Sequence, residues 1–121
     1  MTETVAILGA SKNQYRYANK AQKFLIEKGY TAVPINPNYN MIDGIKCYPK
    51  LKSYSGKINT ITVYVRPSIL SSLAQEIIQA SPFRVILNPG TENGIVIDQL
   101  KNAGIEIQIA CTLVLLSTSQ F

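Results

Sequence analysis

Thr4-Val5-Ala6-Ile7-Leu8-Gly9-Ala10-Ser11 (TVAILGAS, residues 4–11) sets an unbroken apolar run directly against a glycine turn. Apolar residues in succession, without a polar alternate, fit a strand covered on both faces, as in a parallel sheet. Gly9 followed by two small residues predicts a tight strand-to-helix turn. Such a turn lets backbone N–H groups approach a pyrophosphate, and the helix that follows favours negative charge at its N-terminus. The Ser11 hydroxyl can add a hydrogen bond, and Lys12 and Arg16 can supply charge, Arg16 with a bidentate fork. An ordinary structural turn has the same letters, so the position in the chain must decide.

Further along, strand candidates recur at Thr4–Leu8, Thr31–Ile35, Thr60–Val65, Arg84–Leu87 and Ile105–Ala110. Helical patterns lie between them. Ala18, Ala21 and Leu25 share one face; Leu70, Leu73, Ala74, Ile77 and Ile78 form a second stripe, with Ser68 as its expected cap. A third helix over 93–103 presents Val96, Ile97 and Leu100, with Thr91 as its expected cap. Gly29 and Gly104 each stand where a helix ends and a strand begins. Strand–helix alternation predicts an α/β fold: a single Rossmann-like three-layer domain, residues 1–121, with a five-stranded parallel sheet. Residues 36–58, rich in Asn, Pro, Tyr and Gly, are expected to be mostly loop with one helical turn near Leu51–Tyr54. Pro34 conflicts with a central strand and is tolerable only where no ladder donor is needed.

Composition narrows the chemistry. With 121 residues, 46% of them hydrophobic and 16% charged, the chain should fold alone. It contains no histidine, so the commonest general base and the commonest metal ligand are both missing. The expectation is no metal and no catalytic residue. Cys47 and Cys111 have no CxxC spacing and no activating neighbour, and read as free thiols. The net charge of +5 comes from scattered basic residues, which suits a small anionic ligand better than nucleic acid. No apolar run approaches bilayer length, and the N-terminus lacks a basic leader, so the expected setting is cytoplasmic with no membrane partner.

In an open parallel sheet, ligands bind beyond the carboxyl ends of the strands. The residues there are Gly9-Ala10-Ser11, Asn36-Pro37-Asn38, Arg66-Pro67-Ser68, Asn88-Pro89-Gly90 and Cys111-Thr112. An NAD site requires an acidic residue at the end of the second strand, where this chain has Asn36-Pro37, so an NAD site is disfavoured. Arg66 can project over the cleft, or be a surface residue before a helix-starting proline. Asn88-Pro89-Gly90 can equally be a plain β-turn.

These residues, taken in order, carry a resemblance. VAILGAS, Asn13 with Arg16 and Tyr17, the Gly-Tyr-x-x-x-Pro-Ile-Asn-Pro of 29–37, Gly44 with Tyr48-Pro49, Val63 with Val65-Arg66-Pro67, Asn88-Pro89-Gly90 and Cys111 together resemble the small stand-alone CoA-binding domain proteins. That family is similar to the N-terminal domain of the succinyl-CoA synthetase α subunit and of ADP-forming acyl-CoA synthetases. The resemblance implies coenzyme A as the cofactor. It implies that Gly9, Ala10, Ser11 and Arg16 hold the pyrophosphate, with Asn36 and Pro37 beside the adenosine half. Val65, Arg66 and Pro67 would line the cleft, and Asn88, Pro89 and Gly90 would lie near the pantetheine path.

The phosphorylated histidine of the synthetases lies in a further domain, so the resemblance implies binding without ligase activity. Relatives often carry a lysine after the Asn-Pro, where this chain has Asn38 and Tyr39; Lys46 or Lys50 could substitute. Relatives usually have Gln-Pro-Gly in place of Asn88-Pro89-Gly90. The tail TLVLLSTSQF departs from the pattern and is expected either to add an edge strand or to cover a homodimer surface. The alternative functions are a small NAD(P)- or other nucleotide-dependent enzyme, and a regulatory subunit with a vestigial cleft.

Overall fold

In the computed structural model, which describes residues 2–121, the chain alternates strands and helices. The order is β1 (Thr4–Leu8), α1 (Tyr17–Glu27), β2 (Thr31–Ile35), β3 (Met41–Ile42), β4 (Ile45–Lys46), a short 3-10 helix (Leu51–Ser53), β5 (Thr60–Val63), α2 (Pro67–Ala80), β6 (Arg84–Leu87), α3 (Gly94–Asn102), β7 (Glu106–Ile109) and α4 (Thr112–Ser117). Five strands form the main sheet in the order β2-β1-β5-β6-β7, and every pairing in it is parallel. The expected Rossmann-like architecture is therefore present.

The period-2 geometry of β1 separates its side chains between two cores. Ala6 and Leu8 join Leu70, Ala74, Ile77, Val96 and Leu100 beneath α2 and α3. Val5 and Ile7 join Ala18, Leu25 and Leu116 beneath α1 and α4. Each fully buried Leu or Ile contributes about 1.5–3 kcal/mol, which explains why continuous apolar strands need a helix layer on both faces.

Several expectations change in detail. The third strand of the main sheet, β5, ends at Val63 rather than Val65, and β7 is one residue shorter at each end than expected. Ser68 caps nothing: Arg66 is the N-cap of α2 and Pro67 its first residue, since proline needs no donor there. For α3 the cap is Asn93, whose side chain accepts from the N–H groups of Ile95 and Val96, rather than Thr91. Thr91 instead turns its hydroxyl back onto the Asn88 carbonyl. The tail forms neither an edge strand nor an extension of the sheet. It makes α4, which buries Leu115 and Leu116 and packs against α1.

The segment after β2 is more ordered than its composition suggests. Asp43 and Gly44 both have positive φ, +49° and +78°, and join β3 to β4 in a two-residue hairpin. An Asp-Gly pair supplies the conformation that such turns need. The hairpin returns to the sheet edge through Tyr48, whose N–H donates to the Pro34 carbonyl. Pro34 thus sits on an edge strand, with its missing donor on the outer side, and its conflict with the sheet disappears. The expected helical turn is the 3-10 helix at Leu51–Ser53.

Candidate functional site

The chain runs from β1 outward to β2, then returns across β1 to β5, so strand order reverses between β1 and β5. Their carboxyl ends are where a crevice must open. Gly9 makes it possible. Its φ is +92°, and a Cβ there would lie 2.9 Å from Val65 Cγ1 and 3.0 Å from the Tyr64 carbonyl carbon. The β1 turn therefore crosses against the backbone of the β5 end, which only glycine permits.

Two lobes flank this crossing, and both include Gly9 and Asn36. One, of about 380 Å³, is lined also by Ala10, Ser11, Arg16, Tyr17, Ala18 and Tyr64. The other, of about 390 Å³, is largely apolar, with Pro37, Val65, Pro49, Ile69 and Leu73 as walls and Lys50 and Glu76 at its margin.

The polar lobe has the features of an anion site. The N-terminus of α1 has no side-chain cap and no acidic residue in its first turn. The N–H groups of Tyr17 and Ala18 donate to no backbone acceptor among the described residues, so the positive end of the helix is uncompensated. Arg16 stands at its N-cap, exposed. The N–H groups of Gly9 and Ala10, expected to hold a pyrophosphate, are already spent: both donate to the Ile35 carbonyl, at 3.1 and 3.2 Å. Free backbone donors begin one residue later, at Ser11 and Lys12. The Ser11 Oγ accepts from the Asn13 N–H at 3.0 Å, which rounds the turn and leaves its own proton available.

Other candidates are placed differently from their expected roles. Asn36 borders both lobes, but its side chain is engaged within the protein. It donates to the Ala10 carbonyl at 2.8 Å and accepts from the Asn38 N–H at 2.8 Å. Asn88 is buried: its amide donates to Thr62 Oγ1 (2.7 Å) and the Val63 carbonyl (2.8 Å), and accepts from the Thr112 N–H (2.9 Å). It joins the ends of β5, β6 and α4 and faces no lobe. Lys12, Arg66, Pro67, Pro89 and Gly90 line neither lobe. The Lys12 ammonium lies 5.2 Å from the Tyr39 ring centre. Of the two lysines proposed as substitutes, Lys50 reaches the apolar lobe, while Lys46 lies over the Tyr48 ring.

Sequence reading missed Tyr64, which walls the polar lobe. Its hydroxyl is buried with no hydrogen-bond partner among the described residues. The nearby Thr62 and Thr112 hydroxyls are bonded to each other at 2.7 Å. Burial pushes the Tyr64 phenol up to about 12. Between the free value near 10 and that figure the native state holds a proton that the unfolded state has lost, so stability falls as pH rises through this window. Tyr64→Phe should remove the Tyr64 share of that slope, worth about 2–3 kcal/mol at its upper end, in denaturant titrations from pH 9 to 12. A wild-type slope equal to the variant's would refute the assignment.

Burial likewise pushes the Cys47 thiol up, and Cys111 is a half-buried free thiol at the N-cap of α4. Among the described residues no group of acidic and sulfur side chains gathers as a metal site, and no helix is long and apolar enough to cross a membrane.

The chain is 27% identical over 78 residues to the uncharacterized protein YneT of Bacillus subtilis, covering 64% of this chain and 58% of that one. It is 31% identical over 74 residues to an ADP-forming acetate–CoA ligase of Methanocaldococcus jannaschii, covering 61% of this chain and 10% of the ligase. A crystal structure of an uncharacterized protein superposes with a TM-score of 0.92 at 34% identity, covering 100% of this chain and 99% of the other. The profile of the CoA binding domain family matches residues 3–117, and with the crevice, the Gly9 crossing and the uncapped α1 terminus all inside that span, the chain belongs to the CoA-binding domain family.

Proposed function

We propose that this chain is a non-enzymatic module that binds coenzyme A or a CoA thioester across the two lobes. The observation that carries the reading is the pairing of an uncapped helix N-terminus and Arg16 with an adjoining apolar lobe at the β1–β5 switch point. The diphosphate would rest on the free N–H groups of Ser11, Lys12 and the first turn of α1, with Arg16 as counter-ion. The adenine would occupy the apolar lobe between Pro37 and Ile69, with Lys50 at hand for a further phosphate.

A nicotinamide dinucleotide suits the site less well. The side chain in the ribose-binding position is Asn36, an amide rather than a carboxylate, whose oxygen accepts from the Asn38 N–H and whose nitrogen donates to the Ala10 carbonyl. The non-enzymatic reading draws on the absence of histidine from the sequence and on thiols with no activating base.

Isothermal titration with CoA, acetyl-CoA, NAD and ATP tests the reading. Binding of either CoA species, tighter than NAD, is expected, and no heat from either at millimolar concentration would overturn it. Arg16→Ala should weaken CoA binding about tenfold at low salt. Because Arg16 is exposed, that loss should shrink as ionic strength rises.

A further inference from the structure

Asn19 sits on α1 behind the anion turn, fully buried, and lines neither lobe. Both hydrogens of its amide are used: Nδ2 donates to the Ser11 carbonyl at 2.9 Å and to Asp43 Oδ2 at 2.9 Å. Two acceptors on one side decide which end of the amide faces them. The other end, Oδ1, is buried with no partner among the described residues. An orphaned buried acceptor costs stability, and an apolar residue at this position would avoid that cost. The side chain is therefore poorly explained as core filling.

What the contact does follows from peptide geometry. In a planar trans unit the C=O and N–H point in opposite directions. The Ser11 carbonyl is drawn inward to Asn19, so the N–H of the same unit, that of Lys12, is turned outward, and it donates to no acceptor among the described residues. Asn36 acts in the same way one residue earlier. It holds the Ala10 carbonyl, and the Ser11 N–H of that unit is likewise unpaired. Successive N–H groups presented without partners make an anion-binding concavity. Asp43 is placed to brace Asn19 by the hairpin turn, and the hairpin is held separately by Gln22 Nε2 on the Ile42 carbonyl.

We propose that Asn19, braced by Asp43, is a positioning residue for the anion subsite: it fixes the Ser11–Lys12 peptide, which adjoins the Ser11 wall of the polar lobe, so that its N–H is left free for a bound diphosphate. The proposal rests on the polar lobe being the diphosphate site. It is tested by titrating the nitrogen-15-labelled full chain with inorganic pyrophosphate and, separately, with CoA. The proteins compared are wild type, Asn19→Leu, Asp43→Ala and Asp43→Asn.

In wild type the Ser11 and Lys12 amide signals should shift with pyrophosphate. Asn19→Leu should bind about tenfold more weakly, with the Lys12 amide already displaced in the free protein. Asp43→Ala should bind about threefold more weakly, and Asp43→Asn, which keeps an acceptor oxygen, should recover wild-type affinity. Asp43 is exposed, so this pair carries the test if Asn19→Leu does not fold. Unmoved Ser11 and Lys12 amides in wild type, or wild-type pyrophosphate affinity in Asp43→Ala, would overturn the proposal. Pyrophosphate binding without CoA binding would instead remove the CoA reading and leave the positioning role in place.

Discussion

Gly9→Ala is expected to lower stability by about 3–4 kcal/mol and the melting temperature by about 12–15 °C. Two costs combine. A φ of +92° is unfavourable for any residue with a Cβ, by about 1–2 kcal/mol. The added methyl would also meet Val65 Cγ1 at 2.9 Å, the Tyr64 carbonyl carbon at 3.0 Å and the Val65 nitrogen at 3.1 Å. The Val65 side chain can rotate away, but the other two atoms are backbone at the end of β5. Relief therefore requires β1 and β5 to separate where they are paired, at Leu8 and Val63, and overpacking of this kind costs about 1–3 kcal/mol. Urea denaturation measures the sum. A loss below about 1 kcal/mol would mean that the crossing is looser than the structure has it.

Asn88→Leu should cost a comparable amount, about 3–4 kcal/mol, from a different source. Leucine has similar volume but cannot replace the two donations and one acceptance that Asn88 makes. The Thr62 and Thr112 hydroxyls retain each other. The Val63 carbonyl and the Thr112 N–H lose their Asn88 partners, and each orphaned buried group costs about 1–3 kcal/mol. Chemical denaturation gives the loss. CoA titration of the folded variant separates this account from a ligand-contact role, which would instead appear as lost affinity at unchanged stability.

The two substitutions show where the sequence was informative. Val5-Ala6-Ile7-Leu8 followed by Gly9 identified the first strand and its turn because both derive from local rules: burial on two faces, and a conformation reserved for glycine. The main-sheet strands and α1 to α3 followed from the same kind of reasoning. Asn88 is ambiguous in the sequence because position after a strand is shared by ligand contacts and structural ties. Only the tertiary placement of Thr62 and Thr112, distant in sequence, distinguishes them. The free donors were placed one residue early for a related reason. Nothing local to Gly9 or Ala10 shows that the Ile35 carbonyl, from the neighbouring strand, accepts both of their N–H groups.

Other misses had a visible signal. Asp43-Gly44 between Met41-Ile42 and Ile45-Lys46 is a hairpin pattern in plain view, obscured by the loop-like composition around it. Leu115 and Leu116, adjacent in a short tail, satisfy helix and strand about equally, and their packing against α1 settled the matter. Tyr64 lies within the third strand candidate and lacks any local mark of a site residue.

The hairpin ties the two lobes into one mechanical body. Its turn braces Asn19 behind the polar lobe, while its returning limb, through Tyr48 on β2, carries Pro49 and Lys50 to the apolar one. A residue gained or lost between Asn36 and Tyr48 would displace both walls at once. During divergence, then, the apolar end of the cleft and its polar end are not free to drift apart, and a change of shape at one end is inherited by the other.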